Sequence, residues 1–354
     1  MDRARQPLHS RGVQQAQTLV DAWSWPEAVE LAPARNGNIN RTFLVRSAIG
    51  PLAVLQRLNT SIFDPVVHLD IEAVTGHLEA RGMATPRLRR TREGSLWHEV
   101  DGEIWRVLTW VGDETIQKVR SSADAWSAGH LVARFHDATH DLTWQFRSVR
   151  GGFHDTDQRM AQLRAALGGH RDHPYRARVE PLAERILRAW ERWEGPRDLP
   201  LRVVHGDLKI SNIRFARGRA EALIDLDTLG QGTLDAELGD ALRSWCNPAQ
   251  EDEPAQFAVD LLEASLRGYA QAVPDLAAEE WTGIVPGVER IALELASRFA
   301  TDALEERYFR FDASRYSRPA DHHLVRAEQQ ERLASAVRAQ RARSETIVRS
   351  VRGS

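Results

Sequence analysis

Lysine is nearly missing from this chain. Among 47 basic residues only Lys118 and Lys209 are lysines, a compositional bias that makes each of the two worth a question. Cysteine is scarcer still. With Cys246 alone, an internal disulfide and a cysteine-built metal site are both excluded. No excess of positive charge is present either. A net charge of -3 and a pI near 6.5 remove the electrostatic footprint expected for nucleic acid or an anionic membrane. No apolar run reaches bilayer length, and the opening MDRARQPLHSRGVQQ lacks the apolar centre of a signal peptide, so the expected location is the cytoplasm. Internal repeats and low-complexity segments are lacking as well.

What is there is ordinary for a soluble globular protein: 354 residues, 42% hydrophobic and 27% charged, enough for about two domains. Periodicity divides the chain. Residues 11–31 carry a helical pattern through Val13, Ala16, Leu19, Val20 and Trp23. Strands are expected through RTFLVRS and PLAVLQRL, joined by the SAIGP turn, and a helix from about Pro65 to Arg81 follows, with Val67, Ile71, Val74 and Leu78 on one side. PRLRRTREGSLWHEVDGEIWRVLTWV reads as three strands and two turns. Beyond it, helical periods dominate at 122–139, 156–168, 176–193, 254–272 and 279–306, interrupted by a strand-rich insert at 201–233. The pattern predicts an α+β protein of two lobes, residues 1–111 β-rich and 112–354 mostly helical. The arginine-rich tail from about Glu328 reads as a solvated surface helix.

The insert holds the chemistry. VVHGDLKISNIRF, residues 203–215, places His205, Asp207, Lys209 and Asn212 inside an otherwise apolar segment. Buried charge is costly unless it is paired or used. The spacing His-x-Asp-x-x-x-x-Asn suits phosphoryl transfer: a carboxylate to orient an attacking hydroxyl, and a carboxamide oxygen five residues later for a magnesium ion. Thirteen residues past Asn212, Asp225 ends an apolar run in ALIDLDTLGQG and heads an acidic pair with Asp227. A turn-capping role for these polar groups accounts for neither the spacing nor Asp225.

These residues resemble the aminoglycoside phosphotransferase and choline kinase superfamily, the small-molecule branch of the protein-kinase-like fold. The blocks GNINRTFLV, AVLQRLNTSIFDP, GGFHDT, LIDLDTL, ELGDALRSWCNP and ASRFATDALEERYF are similar, in order, to those of the N-acetylhexosamine 1-kinases and span about residues 36 to 310. The resemblance implies a bilobal fold whose first lobe binds nucleotide, with ATP and Mg²⁺ as cofactors and a free sugar as small-molecule partner. It implies Asp207 as catalytic base, and Asn212 and Asp225, with Asp227 beside it, as metal ligands. It places Asn38 and Asn40 in a phosphate-covering turn and Thr109, Trp110 and Val111 in an adenine-binding linker. One departure stands out. Kinases carry a lysine on the strand before the helix, paired with a glutamate on that helix; here the strand reads Val54-Leu55-Gln56-Arg57. Either Arg57 supplies the charge with Glu72 as partner, or Gln56 takes the lysine position and the charge comes from elsewhere, since adjacent strand residues face opposite ways.

Further candidates concern the acceptor. Lys209 is suited to neutralising a γ-phosphate. Asp240 and Arg243 fall one helical turn apart, either as a surface ion pair or as hydroxyl-binding groups. Arg298, four residues before Asp302, has the reach to bind a carbonyl or a sugar ring. Phe153, His154 and Asp155 read as a helix cap. The reading is therefore a sugar kinase, most simply acting at the anomeric hydroxyl. An antibiotic phosphotransferase is the competitor within the fold, and a nucleotide- or sugar-binding pseudokinase the competitor outside catalysis.

Overall fold

The computed structural model describes residues 19–34, 39–148, 154–273 and 275–353. The chain divides into two compact units. The first comprises Met1–Gly112, Leu142–Val149 and Ala222–Asp227; the second comprises Asp113–Asp141, Arg150–Glu221 and Thr228–Ser354.

The first unit is built on a five-stranded antiparallel sheet. Its strands are β1 (Glu30–Pro33), β2 (Arg41–Ser47), β3 (Gly50–Arg57), β4 (His98–Val100) and β5 (Glu103–Thr109), in spatial order β1-β2-β3-β5-β4. Alternation decides its buried face: Phe43 and Val45, Ala53 and Leu55, Trp105 and Val107 point the same way and pack with Val20 and Trp23. Gly50 closes the β2–β3 turn at φ 143°, where a Cβ would be strained. Helix α1 (Val67–Ala80) buries Val67, Ile71, Val74 and Leu78, the positions its period marked.

Two expectations for this unit fail. Of the helix read at 11–31, the described part is a single 3-10 turn at Val20–Ala22, then extended chain from Trp23 and strand by Glu30. Pro26 disfavours a helical Trp25, and the aromatic side chains go to the sheet core instead. PRLRR forms only one bridge, Leu88 to Leu108. Its arginines turn to α1, where Arg87 pairs with Glu72 and Glu79 and Arg90 pairs with Glu72.

In the second unit lie α2 (Ser122–Thr139), α3 (Thr156–Gly169), α4 (Arg176–Glu191), α5 (Leu234–Trp245), α6 (Val259–Ala270), α7 (Ala278–Glu305), α8 (Pro319–Ala339) and α9 (Arg341–Arg352). Ser121 caps α2 and Asp155 caps α3, each accepting a backbone N–H three residues on. Helix α7 is the hub, packed against α3, α4, α5 and α8. Its approach to α5 requires glycine: a Cβ on Gly287 would fall 2.1 Å from the Asp235 carbonyl oxygen. The tail is not a solvated helix. Gln330, Leu333, Ala334 and Val337 of α8 and Val348 and Val351 of α9 are buried, because small and apolar residues recur between the arginines on one side. Among the described residues no helix is long and apolar enough to cross a membrane.

The insert supplies β7 (Leu201–Val204), β8 (Ile213–Ala216), β9 (Arg219–Leu223) and β10 (Gly230–Thr233). The strands flanking VVHGDLKISNIRF do not form a hairpin with each other: β7 pairs with β10, and β8 pairs with β6 (Glu114–Thr115) and β9. The loop between them is thus carried on two separate sheets. The fold is α+β: among the described residues, an antiparallel sheet with helix α1 in the N-terminal region, and mostly helices, with the short strands β6 to β10, in the remainder.

Candidate active site

In the second unit the His205–Asn212 loop leaves β7 and is braced by α5. The Glu237 carboxylate accepts the backbone N–H groups of His205 at 2.7 Å and Gly206 at 2.9 Å. Burial works against the charge of Glu237, yet His136, His205 and these N–H donors outweigh it and hold the carboxyl below its ordinary range. The Thr228 hydroxyl donates to the His205 carbonyl at 2.7 Å, and the Trp245 indole donates to that of Leu208 at 2.8 Å. His205 Nδ1 accepts the Asp207 N–H at 3.2 Å, so the fully buried imidazole locks the loop from below.

On this braced loop the Asp207 carboxylate meets Lys209 Nζ at 2.6 Å and Asn212 Nδ2 at 2.9 Å. Burial opposes its charge, but Lys209, His205 and Asn212 together keep the carboxyl below the usual range. It is ionised at neutral pH and about a third exposed, at 31%. The Asn212 amide nitrogen also donates to the Asp207 carbonyl, at 2.8 Å, so both of these bonds use the nitrogen and neither uses the carboxamide oxygen.

A second constellation in the same unit was largely missed in the sequence. His154 takes a left-handed backbone, φ 52°. Its Nδ1 lies 3.2 Å from Glu294 and its Nε2 lies 3.3 Å from the Gly206 carbonyl. Burial lowers its pKa, but Glu294, Asp240 and the Gly206 carbonyl raise it further than burial lowers it. Glu294 in turn is brought down to about 2 against its burial by His154, Thr156 and Arg298. Arg290 joins the set, donating to the His154 carbonyl at 2.7 Å, to Thr156 at 3.1 Å and to Asp235 at 2.7 Å. The signal available in the sequence was charge on a helix with otherwise apolar spacing, Arg290 and Glu294 of α7.

The acceptor candidates divide. Asp240 and Arg243 pair at 2.9 Å with side chains only 9% and 11% exposed, so they are not a surface pair. Among the described residues Asp240 Oδ2 and Arg243 Nε, both buried, have no hydrogen-bond partner. Arg298 does not engage Asp302. Its guanidinium lies over the rings of Tyr308 and Phe309, while Asp302 accepts the N–H groups of Arg307, Tyr308 and Phe309 and so folds the turn after α7.

In the first unit Asn38 lies outside the described residues. Asn40 is buried, donating to Asp227 at 2.7 Å and accepting the Asn59 N–H at 2.9 Å. The pairing of Arg57 with Glu72 is not formed: Arg57 pairs with Glu103 on β5 and Glu72 with Arg87 and Arg90. Gln56 instead accepts from Arg106, its neighbour across the β3–β5 register, at 3.0 and 2.8 Å. Arg106, unmarked in the sequence, is 1% exposed and grips both oxygens of Asp227. Asp225, two residues earlier, has a left-handed backbone at φ 65°. In the linker, the Thr109 N–H already donates to Arg87 and the Trp110 N–H to Leu52, so these two donors are engaged within the unit; Val111 follows them.

Among the described residues no group of three or more histidine, cysteine or acidic side chains could hold a metal. Oxygen donors of another kind are present in each unit, the Asn212 carboxamide in the second and the Asp225 carboxylate in the first, the donor type a hard cation takes.

Residues 30–274 match the model of the phosphotransferase enzyme family. The chain is similar to a homoserine kinase of Rhodopseudomonas palustris strain BisA53, 25% identical over 59% of this chain and 60% of that one. It is similar also to one of Methylocella silvestris, 26% identical over 64% and 66%. It thus spans about 60% of the length of the first of these curated relatives. Among solved structures, an amicoumacin kinase in complex with AMP-PNP, Ca²⁺ and amicoumacin superposes with a TM-score of 0.62 at 14% identity, covering 94% of this chain and 96% of that one. A microcompartment-associated aminopropanol kinase gives 0.61 at 17%, covering 95% and 99%. An aminoglycoside phosphotransferase of Alicyclobacillus acidocaldarius gives 0.61 at 16%, covering 92% and 96%. These likenesses show the kinase-like fold, and with most of its length inside the family match the chain belongs to the phosphotransferase enzyme family.

Proposed function

We propose that the protein is an ATP- and Mg²⁺-dependent kinase of a small hydroxylated molecule. The observation that carries the reading is the Asp207 carboxylate, ionised, partly open to solvent and fixed by Lys209 and Asn212 on a loop braced by Glu237. A carboxylate so held orients an acceptor hydroxyl and takes its proton as the oxygen attacks the γ-phosphorus; the bond to the leaving ADP oxygen breaks as the new one forms. Asn212 and Asp225 each carry an oxygen that would suit a magnesium ion, which when bound would neutralise phosphate charge. Lys209 offers a second positive charge beside the base. Asp227, with both oxygens engaged by Arg106, serves as an anchor.

The acceptor we favour is a sugar, an N-acetylhexosamine or a related monosaccharide phosphorylated at its anomeric hydroxyl. Support comes from the sequence blocks similar to those of the N-acetylhexosamine 1-kinases; the Asp240–Arg243 ion pair is nearly buried. The homoserine and aminopropanol kinases among the similar proteins support a second reading, an amino alcohol.

The test is ATP consumption with N-acetylglucosamine, N-acetylgalactosamine, homoserine, aminopropanol and an aminoglycoside. Magnesium-dependent turnover is expected with an N-acetylhexosamine. Asp207→Ala is expected to abolish it, a loss of about a thousandfold or more, while nucleotide binding measured by calorimetry stays within a few-fold of wild type. Turnover with homoserine alone overturns the sugar assignment. Nucleotide binding without turnover on any acceptor overturns the kinase reading in favour of a pseudokinase.

A further inference from the structure

Arg106 is a cation in an unusual place. It lies on β5, opposite Gln56 in the β3–β5 register, and is 1% exposed. Nε and Nη2 donate to Gln56 Oε1, and the two terminal nitrogens donate to the two oxygens of Asp227. Asn40 adds a third bond to Asp227 at 2.7 Å and is itself tied to the Asn59 N–H. A buried ion pair of this sort contributes little net stability over an apolar replacement, because both ions lose their hydration; what it confers is a fixed geometry. The geometry fixed here belongs to Asp227, and two residues before it stands Asp225 with φ 65°. A non-glycine residue in that region is sparsely populated and persists only where its surroundings over-determine it.

We infer that Arg106 is a positioning residue that, through Asp227 and with Gln56 and Asn40, sets the backbone of the Ile224–Asp227 turn and so aims the Asp225 side chain. The inference rests on the reading above that Asp225 is a magnesium ligand. It also accounts for the missing lysine on β3. The buried cation beside Gln56 stands one strand across the sheet, on β5, and faces the Asp227 carboxylate. Gln56 aligns the remaining guanidinium edge, accepting from Nε and Nη2. Arg106 is therefore not a catalytic residue: buried and engaged by two side chains, it acts through the turn.

Three variants test this. Arg106→Lys keeps the charge and removes the planar fork. Arg106→Gln with Asp227→Asn removes both charges together and avoids leaving one of them unpaired in the core. Asp225→Asn removes the ligand and leaves the clamp. The first readout is amide hydrogen exchange of residues 222–227 in the nucleotide-free protein. The second is the affinity for Mn²⁺ in the presence of AMP-PNP, by calorimetry. Both clamp variants are expected to exchange faster at 222–227 and to bind Mn²⁺ about tenfold or more weakly, the range typical when a ligand's support is removed. Asp225→Asn is expected to weaken Mn²⁺ by at least as much with exchange at 222–227 unchanged. If the clamp variants fold cooperatively and keep wild-type exchange and Mn²⁺ affinity while Asp225→Asn loses affinity, the positioning inference fails and the metal reading stands. If Asp225→Asn binds Mn²⁺ as wild type does, the metal reading fails and the purpose given to the clamp falls with it.

Discussion

His68, on the first turn of α1, is a histidine that stays neutral. It is fully buried, stacked on Trp97 at 5.1 Å, with Nδ1 2.6 Å from the Pro65 carbonyl and, among the described residues, no hydrogen-bond partner for Nε2. Burial, then the Arg106 charge, push its pKa down to about 4 against the pull of the Pro65 carbonyl and Asp227. The unfolded chain takes up this proton near pH 6.5, whereas the folded chain resists until about 4. Acidification through that window therefore favours the unfolded state. Stability is intact above pH 6.5, falls as the pH drops, and levels below 4, a loss of about 3 kcal/mol from this group. His68→Phe keeps a ring against Trp97 and cannot titrate. Urea midpoints at pH 7 and pH 5 are expected to differ less in the variant than in wild type, by a large part of that amount; equal differences would refute the assignment. His68 and Arg106 also show why single residues were hard to read. The strand motif directed attention to Gln56 and Arg57, side by side in sequence, but the charge came from position 106, fifty residues on. Only the antiparallel register brings it opposite Gln56, and register is not written in any local pattern.

At the scale of elements the chain was more legible. The helix expected at 122–139 spans Ser122–Thr139, and those at 156–168 and 279–306 lie within a residue of Thr156–Gly169 and Ala278–Glu305, because a long apolar period has few alternative explanations. In the described part of 11–31, residues 19–31, the reading misled because Trp, Leu and Val at helical spacing also suit strand and turn, and Pro26 outweighs them. The spacing of His205, Asp207 and Asn212 was legible for the same reason a motif is: it is local. Its brace was not. Glu237 comes 32 residues after His205 and resembles any surface acid, although α5 buries Asp235, Glu237 and Asp240 alike, and three buried acids on one short helix mark it as something other than packing. In Glu237→Gln one oxygen still accepts a backbone N–H, but the amide nitrogen now confronts the other, so one hydrogen bond is lost and a buried donor is stranded. That costs about 1–3 kcal/mol. Because the two N–H groups belong to His205 and Gly206, turnover is expected to fall by about tenfold or more through displacement of Asp207, with the KM for nucleotide changed little. Wild-type kcat in a variant whose thermal midpoint has dropped would separate bracing of the fold from bracing of the loop, and would count against the second.

At the scale of the molecule, a binding reading has a consequence that does not depend on catalysis. A ligand that binds the folded chain and not the unfolded one raises stability by about 2.7 kcal/mol at one hundred times its dissociation constant, enough to move a thermal midpoint by a few degrees in a protein of this size. With Asn212 and Asp225 proposed as metal ligands and Asp207 as the group that meets the acceptor, the shifts should be ordered. AMP-PNP alone is expected to give a small shift and AMP-PNP with magnesium a larger one, while N-acetylglucosamine or N-acetylgalactosamine adds a further increment over the magnesium–nucleotide complex. Asp207→Ala removes a negative charge beside the phosphates and is expected to keep the nucleotide shift while losing the sugar increment; Asp225→Asn is expected to do the reverse, erasing the difference magnesium makes. Homoserine and aminopropanol, run beside the sugars, decide between the acceptor classes without requiring turnover. A midpoint that magnesium and nucleotide leave unmoved, in a chain whose Asp207 loop is as firmly held as it is here, would mean that the family's loop has been kept for some purpose other than phosphoryl transfer.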